Sequence, residues 1–171
     1  MDGISAAASI LGIATAGVQV SIKLATLSSQ ISTAPDRLSA IGNNVSLTSA
    51  VLQQLADLMK SDSQSANTSP SILSNGSLNT VQASASVCDR IFLEVKDETS
   101  KASIQLRDYK HLLGNKVKLS KIERLKWPFL QPSIDVLRND LKEAKGTLIL
   151  MLQLCLLGIS KRIANPCACP P

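Results

Sequence analysis

The sequence offers few side chains of the types that carry catalysis. His111 is the only histidine, so neither a paired-histidine metal site nor a Ser-His-Asp triad with a spare base can be assembled. The cysteines have neither the C-x-x-C spacing of a metal site nor the density of a disulfide scaffold, which favours reduced thiols. They are Cys88, Cys155, Cys167 and Cys169. We therefore expect no enzyme activity, no metal and no cofactor.

Acid–base and phosphate chemistry are equally weak interpretations. Asp135 and Asp140 share a helical stretch with Arg138 between them, so mutual ion pairing explains these carboxylates. Gly114-Asn115-Lys116 is too short to cradle a phosphate, because a P-loop needs the longer spacing G-x-x-x-x-G-K-[ST]. Catalysis would require residues that this sequence does not place together.

Positive charge is concentrated in the last third of the chain. The formal net charge is +5, and residues 116–171 hold ten of the eighteen basic residues but only four of the thirteen acidic ones. The favoured interpretation is an ordinary solvated face. The alternative is attraction to anionic lipid headgroups, which contributes about 1 kcal/mol of binding free energy per basic side chain near such a surface. Trp127 follows this stretch and is expected to pack between the last two helices or to anchor at an interface. The basic surface candidates are Lys116, Lys118, Lys121, Arg124 and Lys126.

Nucleic acid is an unlikely partner for this basic stretch. Its charges alternate with apolar residues such as Val117, Ile122 and Leu125, which fits packing or a membrane surface better than a groove. Proteins that bind single strands use stacking aromatic side chains, and only Trp127 and Phe129 lie near the charges.

The composition predicts an all-α fold, a bundle of four to five helices with a long hydrophobic N-terminal helix. Hydrophobic residues make up 44% of the chain but aromatic residues only 2%, so Leu, Ile, Val and Ala must build the core. With 171 residues, one domain of ordinary size is expected. We assign residues 1–157 to a helical bundle and residues 158–171 to the helix end and an irregular Cys/Pro tail.

The first helix, residues 3–31, organises the bundle. Its apolar and small residues recur at steps of three and four, which is typical of a helix face kept against a partner. The eight residues of this inner face are Ala6, Ile10, Ile13, Gly17, Val20, Leu24, Leu27 and Ile31. No ionisable residue lies between Gly3 and Ile22, and these twenty residues would just span a bilayer core of about 30 Å. The helix can thus be buried in protein or in lipid. The candidates for membrane or oligomer contact are Ile4, Ile10, Leu11, Ile13, Gly17 and Val20.

The remaining helices are predicted from the same periodicity and from turn signals. The second runs from about Pro35 to Lys60, a serine-rich loop covers 61–77, and the third runs from Leu78 to Leu113 with a break near Thr99 and Ser100. A short basic helix then ends in a turn at Trp127-Pro128, and the final helix opens near Pro132. We expect the first, second and final helices to form the main seam. The side chains expected to be buried include Leu38, Ile41, Val45, Leu47, Val51, Leu52, Leu55, Leu58, Met59, Val81, Val87, Cys88, Ile91, Val95, Ile104, Leu112, Ile134, Leu137, Leu141, Ala144, Leu148, Met151 and Cys155.

Three stretches together resemble a fungal N-terminal domain. They are MDGISAAASILGIATAGVQVSIKL at the start, the helix from Leu38 to Leu55 after Pro35, and Arg124-Leu-Lys-Trp127-Pro-Phe with the helix that follows it. Residues 1–157 are similar to the HeLo-like domain at the head of fungal STAND/NLR-type receptors, which includes the azaphilone pigments biosynthesis cluster protein L N-terminal family. The resemblance implies an all-α bundle without a catalytic centre.

The same resemblance implies a function in signalling. We expect a non-catalytic interaction domain that acts at membranes through its N-terminal helix in a cell-death or self-recognition pathway, residing in the cytoplasm and recruited to the plasma membrane. Self-association, a helical protein partner and anionic membrane lipids are the expected partners. The alternative is a soluble helical adaptor that binds another protein through heptad surfaces on the Leu38 or Leu137 side.

Overall fold

The computed structural model describes residues 3–30, 35–65, 74–113 and 120–164, and at 3, 30, 35, 65, 75, 105–113, 120–134 and 162–164 it describes the backbone alone. These residues form four helices, with no strand in the described ranges: α1 (Gly3–Gln30), α2 (Pro35–Ser65), α3 (Asn75–Leu113) and α4 (Ser120–Ala164). The predicted all-α bundle with a long apolar N-terminal helix is confirmed.

Helices α1 and α2 are antiparallel along their whole length. Ser28 and Ser39 share a hydrogen bond of 3.1 Å between their hydroxyl oxygens. About one turn nearer the N-terminus of α1, Leu24 lies against Gly42, and about two turns beyond Leu24, Gly17 lies against Ser49. Residues nearer the N-terminus of α1 thus pack against residues nearer the C-terminus of α2, as in an αα-hairpin with a short connection.

The second hairpin, α3 and α4, lies beside the first. Phe92 of α3 contacts Gly17, and Thr99 lines a groove with Leu27, so α3 runs parallel to α1. On the other side, Lys145 of α4 donates a hydrogen bond to Asn44 of α2. Within the described residues, α1 packs on α2 and α3, and α4 packs on the same two helices. The four helices therefore form an up-down-up-down bundle.

The core fills the space between the two hairpins. All four helices contribute aliphatic side chains, and Phe92 is the largest fully buried side chain among those that the structure describes. The fully buried side chains from α1, α2, α3 and α4 include Ile10, Leu24, Leu38, Val45, Leu52, Leu55, Met59, Val81, Ile91, Leu141 and Leu148. Nearly all of these positions follow the predicted seams.

Both helices beside the serine-rich segment are longer than predicted. α2 continues to Ser65, and α3 begins at Asn75, three residues before Leu78. Ser74 caps α3, because its Oγ accepts the backbone N–H of Ser77 at 3.2 Å. Serine and threonine near helix ends cap helices as well as form loops, so the predicted loop over 61–77 is too long at both ends.

The break predicted near Thr99 and Ser100 is absent from α3, which runs unbroken from Asn75 to Leu113. Thr99 Oγ1 donates to the carbonyl of Val95 at 2.6 Å, and Ser100 Oγ to that of Lys96 at 2.7 Å. These hydroxyls bond one turn back along the helix and leave it intact. Lys101 adds an ion pair with Asp97 at 2.7 Å, one turn away.

The turn predicted at Trp127-Pro128 is also wrong, because α4 is one helix from Ser120 to Ala164. A proline inside a helix removes one backbone hydrogen bond at a cost of about 3 kcal/mol, and it bends a helix as often as it ends one. The predicted short basic helix and final helix are therefore one element. Lys116 and Lys118 lie outside the described residues.

Three apolar residues assigned to the buried side are exposed instead. Leu47 is 58% exposed, Ile104 is 52% exposed and Val87 is 37% exposed. Val51, Leu58 and Met151 are half-buried. The side chains of Leu112 and Ile134 lie outside the described residues. The expected seam of the first, second and final helices is also corrected, since α4 reaches the core through α2 and α3, on the far side from α1.

Candidate functional site

The candidate site is α1, which presents one face to the core and another to solvent. Six of the eight residues predicted for its inner face are buried, and Ile13 is half-buried. Ile31, the last of them, lies outside the described residues. The buried six are Ala6, Ile10, Gly17, Val20, Leu24 and Leu27, and Ala7 and Ala14 join them.

At Gly17, α1 lies close to both α2 and α3. A Cβ at this position would overlap Ser49 of α2 and would lie 2.5 Å from Cε2 of Phe92 of α3. Phe92 was missed by sequence reasoning, because the periodicity selected its neighbour Ile91 for the buried face. Both side chains are buried, and the two adjacent large apolar residues were the available signal.

The outer face of α1 carries a second apolar row, which we call the outer stripe of α1. Its members recur at steps of four and three and therefore share one side of the helix. Ile4 is 59% exposed and Ile22 is 60% exposed, and Leu11 and Val18 between them are 41% and 42% exposed. The outer stripe of α1 is Ile4, Ala8, Leu11, Thr15, Val18 and Ile22.

Polar groups on α1 are largely satisfied by the helix itself. Thr15 Oγ1 donates to the carbonyl of Leu11 at 2.9 Å, and Thr26 Oγ1 to that of Ile22 at 3.0 Å. Ser21 Oγ donates to Val18 at 2.8 Å, and Ser29 Oγ to Thr26 at 2.7 Å. Because these hydrogen bonds move with α1, transferring it to an apolar medium leaves fewer unpaired donors than its serine and threonine content suggests.

The predicted membrane or oligomer candidates therefore divide into two groups. Ile4 and Leu11 lie on the outer stripe of α1, where another surface can reach them. Ile10, Gly17 and Val20 are buried in the core, and Ile13 is half-buried. A residue of the second group contacts a membrane or another copy only after α1 separates from α2 and α3.

The two leucines that marked the heptad surfaces of an adaptor are also in the core. Leu38 of α2 is 1% exposed and Leu137 of α4 is 6% exposed. Their seams are used within the chain, so neither side chain is presented to a partner in this packing.

Two helices are long and apolar enough to cross a membrane, judged by length and composition alone. In α1 the segment is Ile4–Ser29, with a mean hydropathy of 1.6 and 33% of its window buried. In α4 it is Asp135–Lys161, with a mean hydropathy of 1.4 and 17% buried. A core helix of a water-soluble protein passes the same test, although core helices are mostly enclosed.

A groove of about 420 Å³ lies between the C-terminal half of α1 and α3. Among the described residues that line it, Lys23 is the only charged one, and the others are Thr26, Leu27, Thr99, Ser100, Ser103 and Ile104. These described side chains offer hydroxyl groups and aliphatic surface but no pair of groups for acid–base or nucleophilic chemistry.

The described thiols are not reactive. Cys88 and Cys155 are free and buried. Burial raises the pKa of the Cys88 thiol to about 12. Burial, followed by the nearby Asp62 carboxylate, raises the pKa of the Cys155 thiol as well. Both cysteines therefore stay protonated at neutral pH, where the thiolate is the nucleophile.

The described residues contain no group of three or more His, Cys, Asp or Glu side chains that could hold a metal. The side chains of the basic candidates and of Trp127 lie outside the described residues, as do Cys167 and Cys169. The backbone places Lys121, Arg124 and Lys126 in the first two turns of α4.

Comparison with known proteins gives one family. A family model described as SesA, an N-terminal domain on NACHT NTPases and P-loop NTPases, matches residues 7–131. No curated protein and no solved structure matches the chain. The match supports the expected N-terminal domain of NLR-type proteins, whereas the HeLo-like assignment is not confirmed. Because the matched residues make up most of the chain, this protein belongs to the SesA family of N-terminal domains.

Proposed function

We propose that this chain is a non-catalytic signalling domain that acts at membranes through α1, in a cell-death or self-recognition pathway. It resides in the cytoplasm and is recruited to the plasma membrane. The observation that carries the proposal is the outer stripe of α1, an exposed apolar row on a helix that has no charge from Gly3 to Ile22.

The outer stripe allows contact with lipid before the bundle opens. Its four large aliphatic side chains, from Ile4 to Ile22, extend along about 27 Å of helix, since each residue adds about 1.5 Å. Helices that lie in a bilayer interface bury such a row among the acyl chains. The usual amphipathic anchor has a strongly charged opposite face, whereas the opposite face of α1 packs on α2 and α3.

Full insertion needs release of α1 from the bundle. The uncharged segment Gly3–Ile22 then has the length of a bilayer core, about 30 Å. The hydroxyls of Thr15 and Ser21 bond to their own helix and would stay paired in lipid. Release sacrifices the buried contacts of Ile10, Val20 and Leu24, and we expect binding of the outer stripe to the bilayer to supply that free energy.

The family setting supports a signalling role over catalysis. SesA domains are N-terminal domains of NACHT and P-loop NTPases, and the described part of this chain offers buried thiols and no metal cluster. In such proteins this domain is N-terminal to an NTPase module. An N-terminal bundle with an exposed apolar row is suited to carry a signal from the NTPase module to a membrane surface.

Leakage of dye from vesicles tests the proposal. The purified chain is added at micromolar concentration to vesicles of phosphatidylcholine with phosphatidylserine, and Leu11→Asp is compared with the wild type. We expect leakage from the wild type and a loss of most of it in the variant, since a charge on the outer stripe opposes insertion. Leu11 is exposed, so the fold tolerates the change.

Gln54→Asp is the matched control, because it adds the same charge at an exposed position of α2. This variant should cause leakage at the wild-type level. Acidic substitutions at Ile10 or Gly17 do not serve as this test, since both positions lie in the core and a buried charge there would destabilise the fold itself. Absence of leakage from the wild type, or equal leakage from Leu11→Asp, would reject membrane action by α1.

A further inference from the structure

The C-terminal half of α4 has an apolar outer face that no other helix of the described chain covers. Residues 147–160 contain no charge. Leu150, Leu154 and Leu157 are 60%, 61% and 59% exposed. Contiguous exposed apolar patches of several hundred Å² are uncommon on monomeric soluble proteins and usually mark an interaction site.

These leucines are arranged as a heptad seam directed away from the core. The inner face of α4 is occupied by Leu141, Leu148 and Cys155, and the exposed leucines lie on the opposite side at steps of four and three. Continuing the same steps reaches Thr147, which is half-buried, and then Glu143 and Lys161, which are exposed. The outer seam of α4 is thus Glu143, Thr147, Leu150, Leu154, Leu157 and Lys161.

The seam has opposite charges at its two ends. In an antiparallel pair of identical helices centred on residue 152, each position meets the one at equal distance on the other side of the centre. Leu150 then meets Leu154, and Thr147 meets Leu157. Glu143 meets Lys161 at both ends of the pair. Five of the six positions find an apolar or oppositely charged neighbour, as the layers of an antiparallel coiled coil require. The sixth, Leu157, meets Thr147, whose hydroxyl donates to the carbonyl of Glu143 one turn back on its own helix.

We propose that α4 is a two-fold, antiparallel self-association surface, on which the outer seam of one copy packs against the same seam of a second copy. The interface is isologous, so one surface serves both partners and the assembly closes as a dimer. The seam from Glu143 to Lys161 is about 27 Å long. This proposal is independent of the membrane proposal, because it uses a different helix.

Charge distinguishes the second copy from the other possible occupants. A parallel, in-register pair would set Glu143 against Glu143 and Lys161 against Lys161, which opposes assembly. An anionic bilayer would attract Lys161 but repel Glu143. Although Asp135–Lys161 passes the length and hydropathy test for a membrane span, its uncharged part, residues 147–160, is only about 21 Å long. A bilayer core of roughly 30 Å would therefore also have to take up a charged residue such as Lys145 or Lys161.

Sedimentation of the full chain over roughly 1 to 100 µM tests the surface. We expect a reversible dimer in the wild type and a monomer for Leu154→Asp, with unchanged helicity by circular dichroism because Leu154 is exposed. Lys161→Glu and Glu143→Lys should each weaken the dimer about tenfold, since each creates two like-charge contacts. The double exchange Glu143→Lys/Lys161→Glu should restore dimerisation to within about threefold of the wild type.

Lys142→Glu is the matched control, because Lys142 is exposed next to Glu143 but lies off the seam. It makes the same charge change as Lys161→Glu and should leave the dimer unchanged. A monomeric wild type overturns the proposal, including one that binds phosphatidylserine vesicles through Leu154. Dimerisation of Leu154→Asp at the wild-type level would also overturn the proposal. Equal weakening of the dimer by Lys142→Glu and Lys161→Glu would do the same.

Discussion

Gly17 of α1 lies directly against the ring of Phe92 of α3, and no side chain fits between them. A Cβ on Gly17 would lie 2.5 Å from Phe92 Cε2 and would overlap Ser49 of α2. Phe92 is 1% exposed, and the buried Ser49 hydroxyl donates to the carbonyl of Val45 at 2.8 Å, so neither neighbour moves aside freely. Gly17 thus sets the distance at which three helices meet.

Gly17→Ala should therefore lower the free energy of unfolding by about 1–3 kcal/mol, the usual cost of overpacking a core. Helix propensity alone would make alanine more stable than glycine by about 1 kcal/mol. A loss of stability in Gly17→Ala would therefore come from the close packing around Gly17. Urea unfolding followed by circular dichroism measures it. Gly12→Ala is the control: Gly12 has open space around its Cβ position, and this variant should gain stability. Equal effects of the two substitutions would contradict the close approach.

Ile10 and Leu11 are neighbours in sequence on opposite faces of α1. Ile10 is 0% exposed and Leu11 is 41% exposed. Ile10→Asp should unfold the chain or cost more than about 4 kcal/mol, because it buries an unpaired charge. Leu11→Asp should leave the melting temperature within a few degrees of the wild type. Comparable losses in thermal melts would mean that the two faces of α1 have been assigned wrongly.

Much of the core could be predicted from the sequence because helix periodicity records which face is covered. The steps of three and four selected Ile10, Leu24, Val45 and Leu52, all of which are buried. The same rule fails where two rows of apolar residues share a helix. In α1, Leu11 and Val18 repeat with the same spacing as the inner row, and sequence alone cannot say which row faces the core.

Other features depended on tertiary structure. Pro128 predicted a turn, yet α4 runs through it, since a proline can bend a helix without ending it. Ile91 fitted the heptad pattern, whereas the burial of Phe92 depends on the tertiary contact of its ring with Gly17 of α1. The outer seam of α4 was apolar by sequence, but its exposure follows from α4 packing on α2 and α3 with its other face.

The stability of the bundle should depend on pH through Cys88. Burial raises the pKa of its thiol from the ordinary value of 9.0 to about 12, so the folded chain keeps a proton that the unfolded chain loses. Its stabilising contribution is complete below pH 9 and falls as the pH rises towards 12, by about 1.4 kcal/mol per pH unit. Cys88→Ala should remove this contribution. Between pH 8 and 10, the difference in unfolding free energy between wild type and variant should shift by about 1.4 kcal/mol against the wild type. A constant difference would show that the thiol titrates normally.

The attachment of α4 to α2 should depend on one hydrogen bond. Lys145 Nζ donates to Asn44 Oδ1 at 3.0 Å, while Asn44 Nδ2 donates to the carbonyl of Ala40 at 3.0 Å and so fixes the amide. Both residues are half-buried, so Asn44→Ala leaves the ammonium group without this acceptor and should cost about 1–2 kcal/mol. Asn43→Ala, one residue away and exposed, should change stability by less than about 0.5 kcal/mol.

Native-state hydrogen exchange shows which helix the loss of this bond affects. Relative to the wild type, Asn44→Ala should accelerate exchange of the α4 amides around Lys145 more than exchange of the α1 amides, because α1 does not share this contact. Uniform acceleration in both helices would show that Asn44 supports the whole bundle and that its bond to Lys145 has no special role in holding α4.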